Sequence, residues 1–119
     1  MSNFISLDQA IALTKNYRDA KEAILIPELR NKGILPICET FDADAFETLF
    51  NQNGCVSIRV YLGMDDKQLI RIIAVGANAA GEDMLPNAGM VAMDAGASIV
   101  EDGMRCPDIC PPPSPINHG

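Results

Sequence analysis

Hydrophobic and polar positions follow a helical period near the start of the chain. From Leu7 to Leu25 the apolar residues recur three or four positions apart and form one stripe. Ser6 and Gln9 have the spacing of a capping box, in which both side chains accept hydrogen bonds from main-chain N–H groups at the start of a helix. Pro27 lacks the N–H that a helix interior needs. The pattern therefore predicts an N-terminal helix from Leu7 to Leu25.

A second, shorter helix is predicted within Phe41–Gln52. Thr40 or Asp42 is placed to cap it, and the acidic residues of its first turn suit the positive end of a helix. Asn53-Gly54 is typical of the left-handed turn that ends a helix. One face of this segment carries phenylalanine and leucine, which we expect to be buried.

From Cys55 the pattern changes to a period of two, which indicates strands. Cys55–Leu62 alternates apolar and polar residues, and Leu69–Val75 is a second apolar run after a turn rich in Gly and Asp. We expect an antiparallel hairpin, which needs a helix on one face to be stable. The shorter run Ile34–Cys38 is predicted to be an edge strand, because Pro36 cannot donate to a central ladder.

The rest of the chain has weaker patterning. Residues 77–97 are rich in Ala, Gly and Met without a sustained period, which predicts a loosely structured segment. Residues 97–100 are interpreted as one last strand. The sequence thus predicts an α+β fold, with two helices packed on one face of a small antiparallel sheet. Its predicted organisation is a single domain over 1–104 and an extended proline-rich arm over 105–119.

Core residues are predicted from the apolar positions of these elements. Aromatic residues make up 5% of the chain and Trp is absent, so aliphatic side chains must form most of the core. The residues expected in the core are Ile11, Leu13 or Thr14, Ile24, Phe46, Leu49, Val56, Ile58, Val60, Ile72 and Val75.

Charge limits the range of partners. The formal net charge is −7, so the surface should repel phosphate backbones and anionic lipid heads. We therefore expect neither nucleic acid nor a membrane as partner. The start of the sequence lacks the pattern of a secretory signal and no apolar run is long enough for a membrane span, so the expected location is the cytoplasm. There the four cysteines are expected as free thiols or metal ligands.

The most specific local feature is Cys106-Pro107-Asp108-Ile109-Cys110. Proline and aspartate favour a tight turn that brings the two cysteines together. We expect a reduced structural turn. Two alternatives are a Cys106–Cys110 disulfide and half of a zinc site, whose two further ligands would come from Cys38, Cys55 and His118.

Other motifs do not support an enzyme. Gly76–Gly81 has the glycine spacing of a phosphate loop but lacks the Lys-Ser/Thr that must follow. Asp42, Asp44 and Glu47 lack the remaining positions of a calcium loop. The one histidine, His118, lies at the end of the tail, where we expect a mobile side chain and no hydrolytic triad. We expect a protein without a cofactor and without enzymatic activity.

Five segments carry a resemblance to a known group of proteins: ISLDQAIALTKNYR, ILPICETFD, NGCVSIRVYLGMD, VGANAAGEDML and EDGMRCPDICPPPSP. Together they cover nearly the whole chain, which resembles a family of small uncharacterised bacterial proteins that end in a Cys-Pro-rich tail. The resemblance carries no activity across. It implies that the tail belongs to the design of the protein.

Two functional hypotheses follow. The first is a structural or interaction protein that binds itself, as a homo-oligomer, or another protein, since prolines are pre-extended and dock in grooves at little cost in conformational entropy. The expected interaction residues are Cys106, Pro107, Cys110, Pro111, Pro112, Pro113 and Pro115. The alternative is a small metal-binding or thiol-redox protein that uses Cys106 and Cys110.

Overall fold

The computed structural model describes residues 3–86 and 98–119, which form two compact units. Met1–Cys38 and Arg105–Gly119 make up the first, here called the disulfide unit. Glu39–Met104 make up the second, here called the hairpin unit. The chain is thus grouped differently from the division into 1–104 and 105–119 that the sequence predicts.

Helices and antiparallel strands together confirm the α+β class. The elements in chain order are α1 (Leu7–Ala20), a short 3₁₀ helix (Pro27–Leu29), β1 (Cys38–Thr40), α2 (Ala43–Phe50), β2 (Cys55–Met64), β3 (Ile70–Asn78), β4 (Asp83–Met84), β5 (Ile99–Val100) and β6 (Met104–Cys106). No helix in the described part of the chain is long and apolar enough to cross a membrane.

Helix α1 begins as the sequence predicts and ends earlier. The Ser6 hydroxyl accepts from the main-chain N–H of Gln9, and the Gln9 side chain accepts from that of Ser6, which confirms the capping box. The helix ends at Ala20 rather than Leu25. The Arg30 guanidinium donates to the carbonyls of Leu25 and Ala23, and these bonds stabilise turns where the apolar pattern alone predicts more helix.

The predicted hairpin is confirmed by the register of β2 and β3. The two strands pair antiparallel from Met64↔Ile70 to Cys55↔Asn78, with an irregularity near Cys55. On its other side β3 pairs with β4 and with β5, so β3 lies inside the sheet. Strand β5 lies within the last strand predicted for residues 97–100. Residues 87–97, most of the segment predicted to be loose, lie outside the described residues.

The predicted edge strand over Ile34–Cys38 is wrong. The strand in this region is β1, Cys38–Thr40, which pairs with β6. Ile34 is buried, and its carbonyl accepts from the Arg105 side chain. Side chains thus satisfy main-chain carbonyls of this segment, an arrangement that periodicity does not reveal.

The core of the hairpin unit is small. Leu49 of α2, Ala74 of β3 and Val100 of β5 are its buried members, and Phe41, Ala45, Phe46 and Ile58 pack partly against them. The Phe41 and Phe46 rings lie 5.6 Å apart, centroid to centroid. Val75 is also buried. Leu49, Val75, Phe46 and Ile58 were all expected in the core.

Several other predicted core residues are not buried. Leu13, Ile24, Val56 and Val60 are each more than half exposed. Ile11, Thr14 and Ile72 are half-buried. The physical reason on the sheet is length: α2 has eight residues and covers only part of the ten-residue strand β2. Asp42 stands at the N-cap of α2, but within the described structure its side chain makes no capping hydrogen bond.

Candidate thiol–disulfide site

A disulfide joins Cys106 and Cys110, so the expectation of a reduced turn is wrong. The turn itself forms as Pro107 and Asp108 predict, because the Ile109 N–H donates to the Arg105 carbonyl at 2.8 Å. The closed turn leaves the two Cα atoms 4.5 Å apart, near enough for the sulfurs to bond. The disulfide that the sequence left as an alternative is the state of this structure.

The two cysteines differ in exposure. Cys106 ends β6 and is 4% exposed, whereas Cys110 lies in the following loop and is exposed. The Cys106 carbonyl accepts from the Ile37 N–H at 2.8 Å, which ties Cys106 to the segment before β1. An incoming thiol therefore reaches Cys110 more easily than Cys106.

An open cleft of about 320 Å³ lies beside the disulfide within the disulfide unit. Its lining combines apolar residues with the two cysteines and two polar residues. The described residues that line it are Ile37, Cys106, Cys110, Pro111, Pro113, Asn117 and His118. A disulfide in the wall of an open cleft is accessible to a partner thiol, unlike one enclosed in a core.

The tail is folded back on its own helix. Arg18 of α1 donates from Nη1 to the Ile116 main-chain oxygen at 2.7 Å, and from Nη2 to those of His118 and Gly119 at 3.4 Å and 3.2 Å. The Asn117 side chain accepts from the Ser114 N–H at 2.9 Å and closes a turn. The predicted extended arm is therefore not confirmed, because side chains of the same unit hold a compact tail.

The segment that precedes Ile37 of the cleft wall is held by three hydrogen bonds from side chains. Arg105 donates from Nη2 to the carbonyls of Gly33 and Ile34, at 2.9 Å and 3.1 Å. The Tyr17 hydroxyl donates to the Pro36 carbonyl at 2.7 Å. Partial burial, followed by the nearby Glu22 carboxylate, raises the pKa of Tyr17 above its usual range, so its hydroxyl stays protonated and donates. These bonds fix the segment that presents Ile37 to the cleft.

The predicted interaction residues are only partly brought together. Cys106, Cys110, Pro111 and Pro113 line the cleft. Pro112 and Pro115 are exposed on the tail, and Pro107 lies near Gly33. Sequence reasoning missed Arg18, Ile37 and Asn117, because nothing in their local patterns marks a long-range contact. His118, expected to be mobile, is found in the cleft wall.

The metal alternative lacks a ligand set in the described structure. Cys38 and Cys55 are half-buried free thiols, Cys38 in the disulfide unit and Cys55 in the hairpin unit. Among residues 3–86 and 98–119, no group of three or more His, Cys, Asp or Glu side chains is placed to hold a metal ion.

The hairpin unit has a polar cluster of its own on the sheet. The Asp83 carboxylate accepts from the Tyr61 hydroxyl and from the Arg59 guanidinium. These two hydrogen bonds, Tyr61 first, lower the pKa of Asp83. The hydrogen bond that Tyr61 donates to Asp83 raises the pKa of Tyr61, and the one that Arg59 donates raises the pKa of Arg59. The cluster links β2 to the short strand β4. This link gives the three side chains a structural role.

Carboxylates at Asp65, Glu101 and Asp102 surround a second arginine of the hairpin unit. Arg71 lies 3.8 Å, 3.4 Å and 3.2 Å from their oxygens. Asp65 and Glu101 are far apart in the chain, so local sequence patterns do not indicate that both lie near Arg71. The arginine offsets part of the negative charge of the three carboxylates and joins their segments within the hairpin unit.

Comparison with known proteins gives no relative. Neither the family models nor the curated proteins match the sequence, and no solved structure matches the fold. The resemblance to small bacterial proteins with a Cys-Pro-rich tail therefore stays a prediction.

Proposed function

We propose that this protein is a dithiol–disulfide protein that exchanges two electrons with thiols through Cys106 and Cys110. The observation that carries the proposal is the disulfide in the wall of an open cleft, with Cys110 exposed and Cys106 buried. A sulfur that must be attacked needs access, and Cys110 is an exposed residue in the wall of an open cleft.

A purely structural role accounts poorly for this disulfide. The two cysteines are four positions apart, so the bond closes a very short loop. Constraining so short a loop in the unfolded chain contributes about 2 kcal/mol, at the low end for disulfides. The disulfide unit also has hydrogen bonds from Arg18, Arg105 and Tyr17 that join segments far apart in the chain, which the disulfide does not do.

The exchange that the geometry favours proceeds in two steps. A donor thiolate attacks the exposed Cys110 Sγ, the S–S bond breaks, and its electron pair leaves on Cys106 Sγ, which takes up a proton. A second donor thiolate then attacks the donor sulfur of the mixed disulfide and releases Cys110 as a thiolate. Two donor thiols end as one disulfide, and the protein gains two electrons, one proton on Cys106 and a second proton when the released Cys110 thiolate is protonated in turn.

The proposal places the chain in the cytoplasm, where disulfides in most organisms are transient and take part in catalysis or redox sensing. The partner is then a cellular thiol or dithiol. The protein itself acts as a two-electron carrier or sensor, so no bound cofactor is part of the proposal.

The test is a redox titration. The variant Cys38→Ser/Cys55→Ser removes both free thiols, so every thiol signal comes from the Cys106–Cys110 pair. It is equilibrated in glutathione and dithiothreitol buffers of defined potential, trapped by alkylation and weighed by mass spectrometry. We expect two thiols to appear together, with a midpoint between about −220 and −320 mV, the range of cytosolic poise.

Two controls define the result. The Cys106→Ser/Cys110→Ser variant, with Cys38 and Cys55 intact, should show two thiols at every potential. A midpoint well below about −320 mV would mean that cellular thiols leave the bond intact, and the exchange proposal would then be wrong.

Docking through the tail is the second candidate function. Pro112, Pro113 and Pro115 are exposed although the tail is folded on its own unit, and this exposure is the observation that favours it. A homo-oligomer or a complex with another protein would then use these prolines. Native mass spectrometry of the whole chain and of the Pro112→Ala/Pro113→Ala/Pro115→Ala variant tests it: a dimer or higher species should appear in the first and be lost in the second. A monomer in both samples refutes self-assembly through these residues.

A further inference from the structure

We propose that the His118 imidazole stabilises the thiolate formed when the Cys106–Cys110 disulfide is reduced, and that Arg18 is the positioning residue that holds His118 in the cleft. The inference rests on the proposed thiol–disulfide exchange and deepens it by naming the charge partner of the sulfur. The protein's one histidine is thereby assigned to the chemistry of this site.

The geometry brings the histidine and the sulfurs to one cavity. Cys106, Cys110 and His118 line the same cleft, although His118 is eight positions beyond Cys110 in the chain. The tail between them is compacted by the Ser114–Asn117 turn, in which the Asn117 side chain also donates to the Pro112 carbonyl at 3.2 Å. Without this turn a proline-rich segment would run away from the sulfurs.

Arg18 fixes the main chain on both sides of the imidazole. Its guanidinium donates to the main-chain oxygens of Ile116, His118 and Gly119. One side chain therefore holds the main chain of His118 and of residues on both sides of it. The fork of donors on an arginine suits several acceptors at once, which an ammonium group matches less well. Arg18 thus acts through His118 and need not touch sulfur.

The other charged groups near the site do not take this role. Among the described residues that line the cleft, only His118 and the two cysteines have titratable side chains. The Arg105 guanidinium bonds the Gly33 and Ile34 carbonyls. Asp108, in the loop between the cysteines, is exposed and carries the same charge as a thiolate. The Arg18 guanidinium bonds main-chain oxygens of the tail.

A nearby imidazolium favours the thiolate over the thiol by direct charge attraction. It therefore also makes the sulfur released from the disulfide a better leaving group.

The experiment measures thiolate formation in reduced protein. The Cys38→Ser/Cys55→Ser background is reduced with a phosphine, and the rate of alkylation by iodoacetamide is followed against pH at Cys106 and Cys110, peptide by peptide. Each cysteine gives one pH midpoint of alkylation. Replacing the imidazole by a neutral amide, His118→Asn, should raise the lower of these two midpoints by about one pH unit. His118→Gln is the second variant and should do the same.

Arg18 and a matched control complete the series. Arg18→Gln should raise the same midpoint by about half a unit, and Arg18→Lys should recover part of the shift. Lys15→Gln removes the same charge from the same helix, but Lys15 bonds Asp19 and not the tail, so it should leave the midpoint unchanged. Circular dichroism checks that each variant keeps its helices.

Each outcome decides a separate point. If both His118 variants alkylate with the midpoint of the background protein, the charge-partner role is refuted. If they shift and Arg18→Gln does not, the positioning role of Arg18 is refuted. Because the phosphine reduces the protein whatever its potential, failure of the redox titration leaves this test intact, and the two proposals fail by different measurements.

Discussion

Leu49 in the hairpin unit is fully buried, whereas α1, the longest helix of the disulfide unit, has no buried residue among its fourteen, all of which are described. The hairpin unit is built on the β2–β3 ladder, and its buried cluster consists of Leu49, Ala74 and Val100. The disulfide unit is built on a capped helix, a disulfide, and side chains that bond the main chain of distant segments.

This difference predicts which substitutions destabilise each unit. A ladder with a small apolar core loses stability when core volume is removed. A unit held by arginine and tyrosine bonds to carbonyls loses stability when a buried donor is removed, since its acceptors are then left unpaired. The second type of scaffold joins its segments by polar bonds, and an open cleft lies beside its disulfide.

The largest expected effect is in the core of the hairpin unit. Leu49→Ala should lower the free energy of unfolding by about 2–5 kcal/mol, because the side chain is fully buried and leaves a cavity. Urea unfolding measures the loss, and hydrogen exchange should assign it to α2 and β3. Leu62→Ala is the matched control: this leucine on β2 is 75% exposed, so the change should stay within about 0.5 kcal/mol. Equal losses for the two leucines would contradict the assignment of the core.

A smaller loss is expected from a buried donor of the disulfide unit. Arg105 is 7% exposed and donates to two carbonyls, so Arg105→Met should cost about 1.5–3 kcal/mol in urea unfolding. Arg30 also donates to two carbonyls but is exposed, so Arg30→Met should cost about 0.5 kcal/mol or less. If both arginines cost the same, burial is not what gives Arg105 its importance.

The cap of α1 tests the same unit at its helix. Ser6→Ala removes the acceptor for the Gln9 N–H and should lower the free energy of unfolding by about 1 kcal/mol. None of the described residues of α1 is buried, so packing does not compensate for the lost cap. Far-UV circular dichroism and urea unfolding measure the change. Ser6→Asp keeps an acceptor at the cap and should retain nearly all of the stability. An unchanged Ser6→Ala variant would show that packing and not capping holds α1.

The smallest expected effect concerns pH and the Asp83 cluster. Hydrogen bonds from Tyr61 and Arg59 lower the pKa of Asp83, so its contribution to stability is present above the usual carboxyl value of about 4 and is lost as pH falls through the lower folded value. Asp83→Asn should therefore be slightly less stable than wild type at pH 7, and the difference should shrink towards pH 2.5. Asp66→Asn, in the turn after β2, is the control. A gap that persists at pH 2.5 would contradict the linkage.

Local patterns predicted much of the fold. The capping box at Ser6, the hairpin of β2 with β3 and the second helix are set by hydrogen bonds and periodicities between residues close in the chain. The candidate site was predicted in part, because Pro107 and Asp108 specify a turn that brings Cys106 and Cys110 together. The redox state was not predicted, since the sequence does not show which cysteines are exposed.

By itself the sequence determined the α+β class, the start of α1, the hairpin and the turn between the two cysteines, because short-range sterics and hydrogen bonding decide these features. Tertiary structure alone decided that Arg18 would hold the tail, that Ile37 and His118 would face the same cleft as the disulfide, and that Val56 and Val60 would stay exposed. These contacts join residues far apart in the chain. Their formation depends on which segments meet once the chain is compact, and no local pattern specifies that.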